Sequence, residues 1–66
     1  MKYYLFTTYN DNGNVNGWIR AQDEMDEEDW NKAVSGYVQY DGYDLYVDMY
    51  VSMDEALKAL EEARNA

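Results

Sequence analysis

The sequence predicts a single α+β domain: a four-stranded antiparallel sheet with two helices, in the order ββαββα. Three observations lead there. "YVQYDGYDLYVDMYV" (37–51) sets Asp41-Gly42 between two alternating runs, a favoured type I′ hairpin. "KYYLFTTY" (2–9) and "WIRAQ" (18–22) are rich in strand-forming residues and are separated by the Asn- and Gly-dense "NDNGNVNG". Two further segments begin with helix-capping residues and continue with apolar positions at helical spacing.

Taken in order, 2–9 and 18–22 form a first hairpin whose loop is longer than the minimal two residues. Asp26 is then a helix N-cap with Asp29 at the third helical position. Met25 and Trp30 stand at the two positions of a hydrophobic staple. Trp30, Ala33 and Val34 share a face at i, i+3, i+4, and Gly36 is a stop signal, giving a short helix over 26–34. In the second hairpin Tyr40 lies opposite Tyr43, Val38 opposite Leu45 and Tyr37 opposite Tyr46. Strand 43–51 then carries Tyr43, Leu45, Val47, Met49 and Val51 on its core face, and Asp44, Tyr46, Asp48 and Tyr50 on the other. Ser52, with Glu55 three residues on, opens the last helix with a capping box. Met53, Ala56, Leu57, Leu60 and Ala63 line one side of that helix; Asp54, Glu55, Lys58, Glu61 and Glu62 line the other. Both helices are expected on the apolar face of the sheet.

Sixty-six residues make one small domain, 1–66. A chain this size buries only about 60% of its unfolded surface, so its stability margin is thin. There is no cysteine to supply a disulfide, and no histidine, the commonest general base and metal ligand. No apolar run approaches the roughly 20 residues of a membrane span, and the N-terminus reads as a strand, not a signal peptide. The expectation is a cytoplasmic protein with no membrane partner. Fourteen acids against five bases give a net charge of −9. That balance repels nucleic acid and attracts basic protein surfaces. An aromatic content of 17% argues that this acidic chain folds.

Metal binding and catalysis find little support. Asn12-x-Asn14-x-Asn16-Gly17, with Asp23 at the twelfth position, follows calcium-loop spacing loosely. Asn stands where Asp is expected, Asp stands where a bidentate Glu is needed, and strands flank the loop; a plain hairpin loop is the better reading. Paired carboxylates can run acid–base chemistry only in a partly desolvated pocket, for which a domain this small has little volume. The sequence holds no Ser/His/Asp set, cysteine nucleophile or Gly-rich phosphate loop. It is read as a non-enzyme without metal or cofactor.

"DEMDEEDW" (23–30) carries six carboxylates in eight positions and no base. Acids favour a helix N-terminus, yet one or two suffice. On strand 43–51, Asp44 and Asp48 share a face with Tyr46 between them and Tyr50 beyond. Same-face neighbours on a strand lie about 6.6–6.8 Å apart, close to the spacing of successive phosphates, roughly twice their rise of about 3.4 Å. The candidate partner-binding residues are therefore Asp23, Glu24, Asp26, Glu27, Glu28, Asp29, Asp44, Tyr46, Asp48 and Tyr50, with the acids of the last helix extending the row.

In size, charge and organisation, carried by "DEMDEEDW" and "YDLYVDMY", the chain resembles the small acidic DNA-mimic inhibitors that bacteriophages direct at host defence enzymes, of the anti-CRISPR and anti-restriction kind. The resemblance implies action inside the bacterial host cell. It also implies a basic, nucleic-acid-binding host protein as partner, a nuclease or CRISPR effector subunit, whose Arg and Lys would pair with carboxylates in place of phosphates. An alternative of another class is a small interaction or dimerisation module. Tyr3, Tyr4, Tyr9, Tyr37, Tyr46 and Tyr50 cannot all be core, and tyrosine suits interfaces. Monomer and homodimer both fit.

Overall fold

In the computed structural model, which describes residues 1–65, the chain enters the sheet at once through β1 (Tyr3–Asn10). A tight turn leads into β2 (Val15–Ala21), and a short 3-10 turn (Gln22–Glu24) into α1 (Glu27–Ser35). The second hairpin, β3 (Tyr37–Tyr40) and β4 (Tyr43–Tyr50), and α2 (Met53–Asn65) complete ββαββα. The four strands form one antiparallel sheet in the order β2-β1-β4-β3. Among the described residues no helix is long and apolar enough to cross a membrane.

With one exception, the local signals act as expected. Tyr40 pairs with Tyr43, Val38 with Leu45 and Tyr37 with Tyr46 as expected, but the turn is not the expected type I′, because Gly42 takes a positive φ of 92° and Asp41 does not. Asp26 accepts the Asp29 N–H at 2.9 Å, and the Asp29 carboxylate accepts the Asp26 N–H at 3.4 Å, a complete capping box. Gly36 ends α1 in the left-handed region and donates its N–H to the Lys32 carbonyl at 2.8 Å. The Ser52 hydroxyl accepts the Glu55 N–H at 3.2 Å.

Three further features differ from expectation. β2 begins at Val15, not at residue 18, because Val15, Asn16 and Gly17 pair with Tyr9, Thr8 and Thr7. Cross-strand pairing overrides the turn preference of Asn and Gly. The second difference concerns both helices, which lie on opposite faces of the sheet. Side chains alternate along a strand, so register sorts them. Tyr4 and Phe6 share a face with Trp18, Leu45, Val47 and Met49; Leu5 and Thr7 share the other with Gly17, Ile19, Tyr46 and Asp48. Trp30 of α1 packs edge-on against Tyr4, ring centroids 5.3 Å apart. Leu60 of α2 sits over Gly17 beside Leu5.

Leu5, Phe6, Thr7 and Thr8 are consequently buried in succession, since β1 is covered on both sides. Phe6 (0% exposed) and Leu45 (2%) are the core of one face; Leu5 and Ala56 are the core of the other. α1 crosses from the β2 side, where Asp29 meets Arg20, to Gly36, whose carbonyl accepts the Val47 N–H. Nine helical residues span about 13.5 Å, close to three strand spacings of about 4.8 Å. Its length therefore suits a crossing from one edge of the sheet to the other.

The third difference is in the expected apolar faces: Val34, Met49 and Val51 are exposed, and so is part of the inner side of α2. Ala56 is fully buried and Ala59, Leu60 and Ala63 are half-buried, whereas Met53 and Leu57 are exposed. The helix sits on its small residues, close to the sheet.

Candidate functional site

The acids of 23–29 divide by what they do. Asp26 and Asp29 form the cap of α1, and Asp29 also lies 3.9 Å from the Arg20 guanidinium. Glu24 accepts the Ala21 N–H at 3.0 Å and so holds the 3-10 turn. Asp23, Glu27 and Glu28 are exposed, with no such bond among the described residues. Half of the run is thus explained by local structure, and half is solvated charge at a helix start, where the dipole favours it.

Asp44, Tyr46, Asp48 and Tyr50 project from β4 on the sheet face that carries α2. α2 covers the part of this face around Leu5, Gly17 and Tyr50. Beside it three tyrosines stay exposed: Tyr9 (39%), Tyr37 (42%) and Tyr46 (41%). Tyr46 is the centre of this cluster. Its ring stands edge-on to Tyr9, centroids 5.5 Å apart, and tilted against Tyr37 at 4.9 Å. The Tyr37 hydroxyl donates to Asp44 Oδ1 at 3.1 Å. That bond, which favours the protonated phenol, holds the Tyr37 hydroxyl above the usual tyrosine range, with desolvation and the nearby charges of Asp44 and Tyr46 adding to it. Tyr9, Asp44, Tyr46 and Asp48 together line an open groove of about 350 Å³.

The row continues onto α2. Tyr50 lies in a second groove, of about 420 Å³, with Glu55, Lys58, Ala59 and Glu62. Burial raises the Tyr50 hydroxyl above the usual range, and the charges of Asp48, Glu62 and Glu55 raise it further. Asp48, Glu55 and Glu62 therefore lie around Tyr50, with Lys58 among them, and Asp44 continues the row along the same face of β4.

The structure does not bring all ten predicted residues together. Asp44, Tyr46, Asp48 and Tyr50 lie on the α2 face, and Asp26, Glu27, Glu28 and Asp29 belong to α1 on the opposite face. Tyr9 and Tyr37 are additions to the candidate set. Tyr37 was legible opposite Tyr46 in the register of the Asp41-Gly42 hairpin, whereas Tyr9 reaches Tyr46 only through the pairing of β1 with β4, a long-range contact. The loose calcium pattern is also divided: Asn12 caps its own turn by accepting the Asn14 N–H, while Asp23 lies beyond the far end of β2.

Chemically the strip offers carboxylates and phenol rings in an open setting. That combination is suited to binding cationic groups, by charge and by the negative faces of the rings. Comparison with known protein families, with curated proteins and with solved structures finds no match for this chain.

Proposed function

We propose that this chain is a DNA-mimicking inhibitor of the anti-CRISPR or anti-restriction kind, which occupies the nucleic-acid-binding groove of a host nuclease or CRISPR surveillance complex. The observation that carries the reading is charge left uncompensated by the fold. Fourteen acids face five bases, and one ion pair, at 3.9 Å, forms among the described residues. Self-repulsion of this kind destabilises a compact state, and a basic partner relieves it. The strip Asp44–Asp48–Glu55–Glu62 supports the reading further, because it aligns carboxylates on one face where no backbone cap requires Asp44 or Asp48.

A second reading, an interaction or dimerisation module, is favoured by the exposed Tyr9–Tyr37–Tyr46 cluster. Pairing through the β3 edge is less favoured. Because Gly36 bonds β4, Tyr37 turns its backbone groups outward, and its carbonyl already accepts the Ser35 hydroxyl at 2.8 Å.

Salt separates the two. The chain, immobilised, should retain a DNA-binding protein from bacterial lysate at low salt and release it at about 1 M, where the Debye length is about 3 Å. The retained protein should then lose its hold on DNA when the chain is added, and should hold on to DNA better against an Asp44→Asn, Asp48→Asn, Glu55→Gln variant. Retention that persists in high salt, with DNA binding undisturbed, would overturn the inhibitor reading in favour of the aromatic interface.

A further inference from the structure

Building on the reading that the acidic strip binds a basic protein, we propose that the groove between Tyr9, Asp44, Tyr46 and Asp48 seats a single arginine side chain of that partner, its guanidinium stacked on a tyrosine ring and paired with a carboxylate. Size, chemistry and rigidity point the same way. The groove, of about 350 Å³, is open to solvent, so it has room for one long side chain but no enclosed space for a packed segment.

The lining decides the charge of that side chain. Two carboxylates and two phenol rings line the groove, with no base among them. An apolar guest would desolvate the carboxylates without compensation. A cation satisfies them and is attracted by the ring faces. Arginine fits better than lysine, because its planar guanidinium stacks on an aromatic ring and reaches a carboxylate with two parallel N–H groups, whereas an ammonium is a strongly hydrated point charge.

Order in the groove is already present. Tyr46 is braced by Tyr9 on one side and Tyr37 on the other, at 5.5 and 4.9 Å. Asp44 is fixed by the Tyr37 hydroxyl through Oδ1 and keeps its second oxygen. Asp48 is exposed and has neither an ion-pair nor a hydrogen-bond partner among the described residues. Pre-set side chains lose less freedom when a guest arrives. Neighbouring carboxylates on α2 raise the local concentration of cations around the groove.

The test is an NMR titration of the ¹⁵N-labelled chain at low salt with hexa-arginine and, separately, hexa-lysine, which carry equal charge. Hexa-arginine should bind about tenfold tighter than hexa-lysine and should shift the amide signals of Tyr9, Asp44, Tyr46 and Asp48. Asp48→Asn and Tyr46→Leu should each weaken hexa-arginine binding roughly five- to tenfold and narrow the gap between the peptides. Tyr46→Phe keeps the ring and should bind like the parent. Asp48→Asn alters one exposed side chain, so its spectrum should otherwise match the parent's and serve as the control for folding. Equal affinity for the two peptides overturns the arginine seat, as does undiminished binding by both Asp48→Asn and Tyr46→Leu; either result leaves the acidic-surface reading in place. If neither peptide binds at low salt, both fall.

Discussion

Leu5 and Phe6 are neighbours on β1, are both buried, and point to opposite faces of the sheet, yet what covers them differs. Phe6 lies under large rings: Trp18 stacks on it with centroids 5.6 Å apart, and Trp30 meets the adjacent Tyr4 at 5.3 Å. Leu5 lies beneath α2, where Ala56 is fully buried and Gly17 leaves room for Leu60. Large aromatic groups let a helix of nine residues help close the centre of its face, from Phe6 to Leu45, while Trp18 and Met49 at the margins stay exposed. Close contact through alanine and glycine brings the thirteen-residue α2 near the sheet but confines its cover, and Tyr9, Tyr37 and Tyr46 remain exposed beside it. The acids follow the same division. On the α1 side three of them cap backbone N–H groups; on the α2 side Asp48 caps nothing and lines a groove. Asp23, Glu27 and Glu28 on the α1 side are solvated at a helix start, whereas on the open half of the α2 face the free carboxylate stands beside exposed tyrosine rings.

The contrast is most directly broken at Leu45. If the centre of the α1 face is sealed around Phe6 and Leu45, Leu45→Ala opens a cavity there and should lower stability by about 2–5 kcal/mol. That is a large share of the roughly 5–15 kcal/mol available to a folded domain, and a denaturant melt measures it. A variant that melts within a few degrees of the parent would show that this face is not sealed, and the two faces would no longer differ in kind.

Local signals made most of the fold legible. Asp41-Gly42, the Asp26–Asp29 pair, Gly36 and Ser52 each act within a few residues, and each is found where the sequence put it. The placement of the helices was less accessible, because the alternation of strand 43–51 suggested one apolar face for both. The contrary signal was in β1, where "LFTT" is buried throughout. A strand covered on both faces reads as a continuous run, not an alternating one. The candidate site was legible as the row Asp44, Tyr46, Asp48. Tyr37 was legible too, opposite Tyr46 in the hairpin register; Tyr9 comes from β1, and only the sheet order brings it to Tyr46.

A smaller effect is expected on the α2 face, at Gly17. Its φ is ordinary for a strand, so the need for glycine comes from space alone. An added Cβ would overlap Leu60 Cδ1 and approach the Phe6 carbonyl oxygen to 3.3 Å. Gly17→Ala should therefore cost about 1–3 kcal/mol as overpacking, partly offset by the roughly 0.5–1 kcal/mol that alanine recovers in chain entropy. Leu60 supplies the discriminating background. On Leu60→Ala the same change at Gly17 should cost clearly less, a coupling of at least about 0.5 kcal/mol. Equal cost on both backgrounds would mean that α2 is not held at its distance by this contact.

The smallest effect distinguishes the open half of the α2 face from the covered half. Tyr37 and Tyr50 both titrate above the ordinary phenol range, for different reasons: the bond to Asp44 leads at Tyr37, burial beside α2 at Tyr50. Asp44→Asn should bring the Tyr37 hydroxyl down towards the ordinary range and leave Tyr50 high. Asp48→Asn should lower Tyr50 and leave Tyr37 nearly unmoved. Ring-labelled tyrosine followed by NMR through alkaline pH resolves the two. Because a raised folded value means that the fold prefers the neutral phenol, this stabilisation is fully present below the unfolded phenol value of about 10. It is lost as pH rises from there through the folded values. At pH 7 Asp44→Asn should therefore melt slightly below the parent, and the difference should narrow only above about pH 10, where the parent's stability falls more steeply than the variant's. If Asp44→Asn left the Tyr37 titration where it was, the hydroxyl would not be bonded to that carboxylate. The ordered Tyr–Asp cluster on which the arginine seat depends would then lose its anchor.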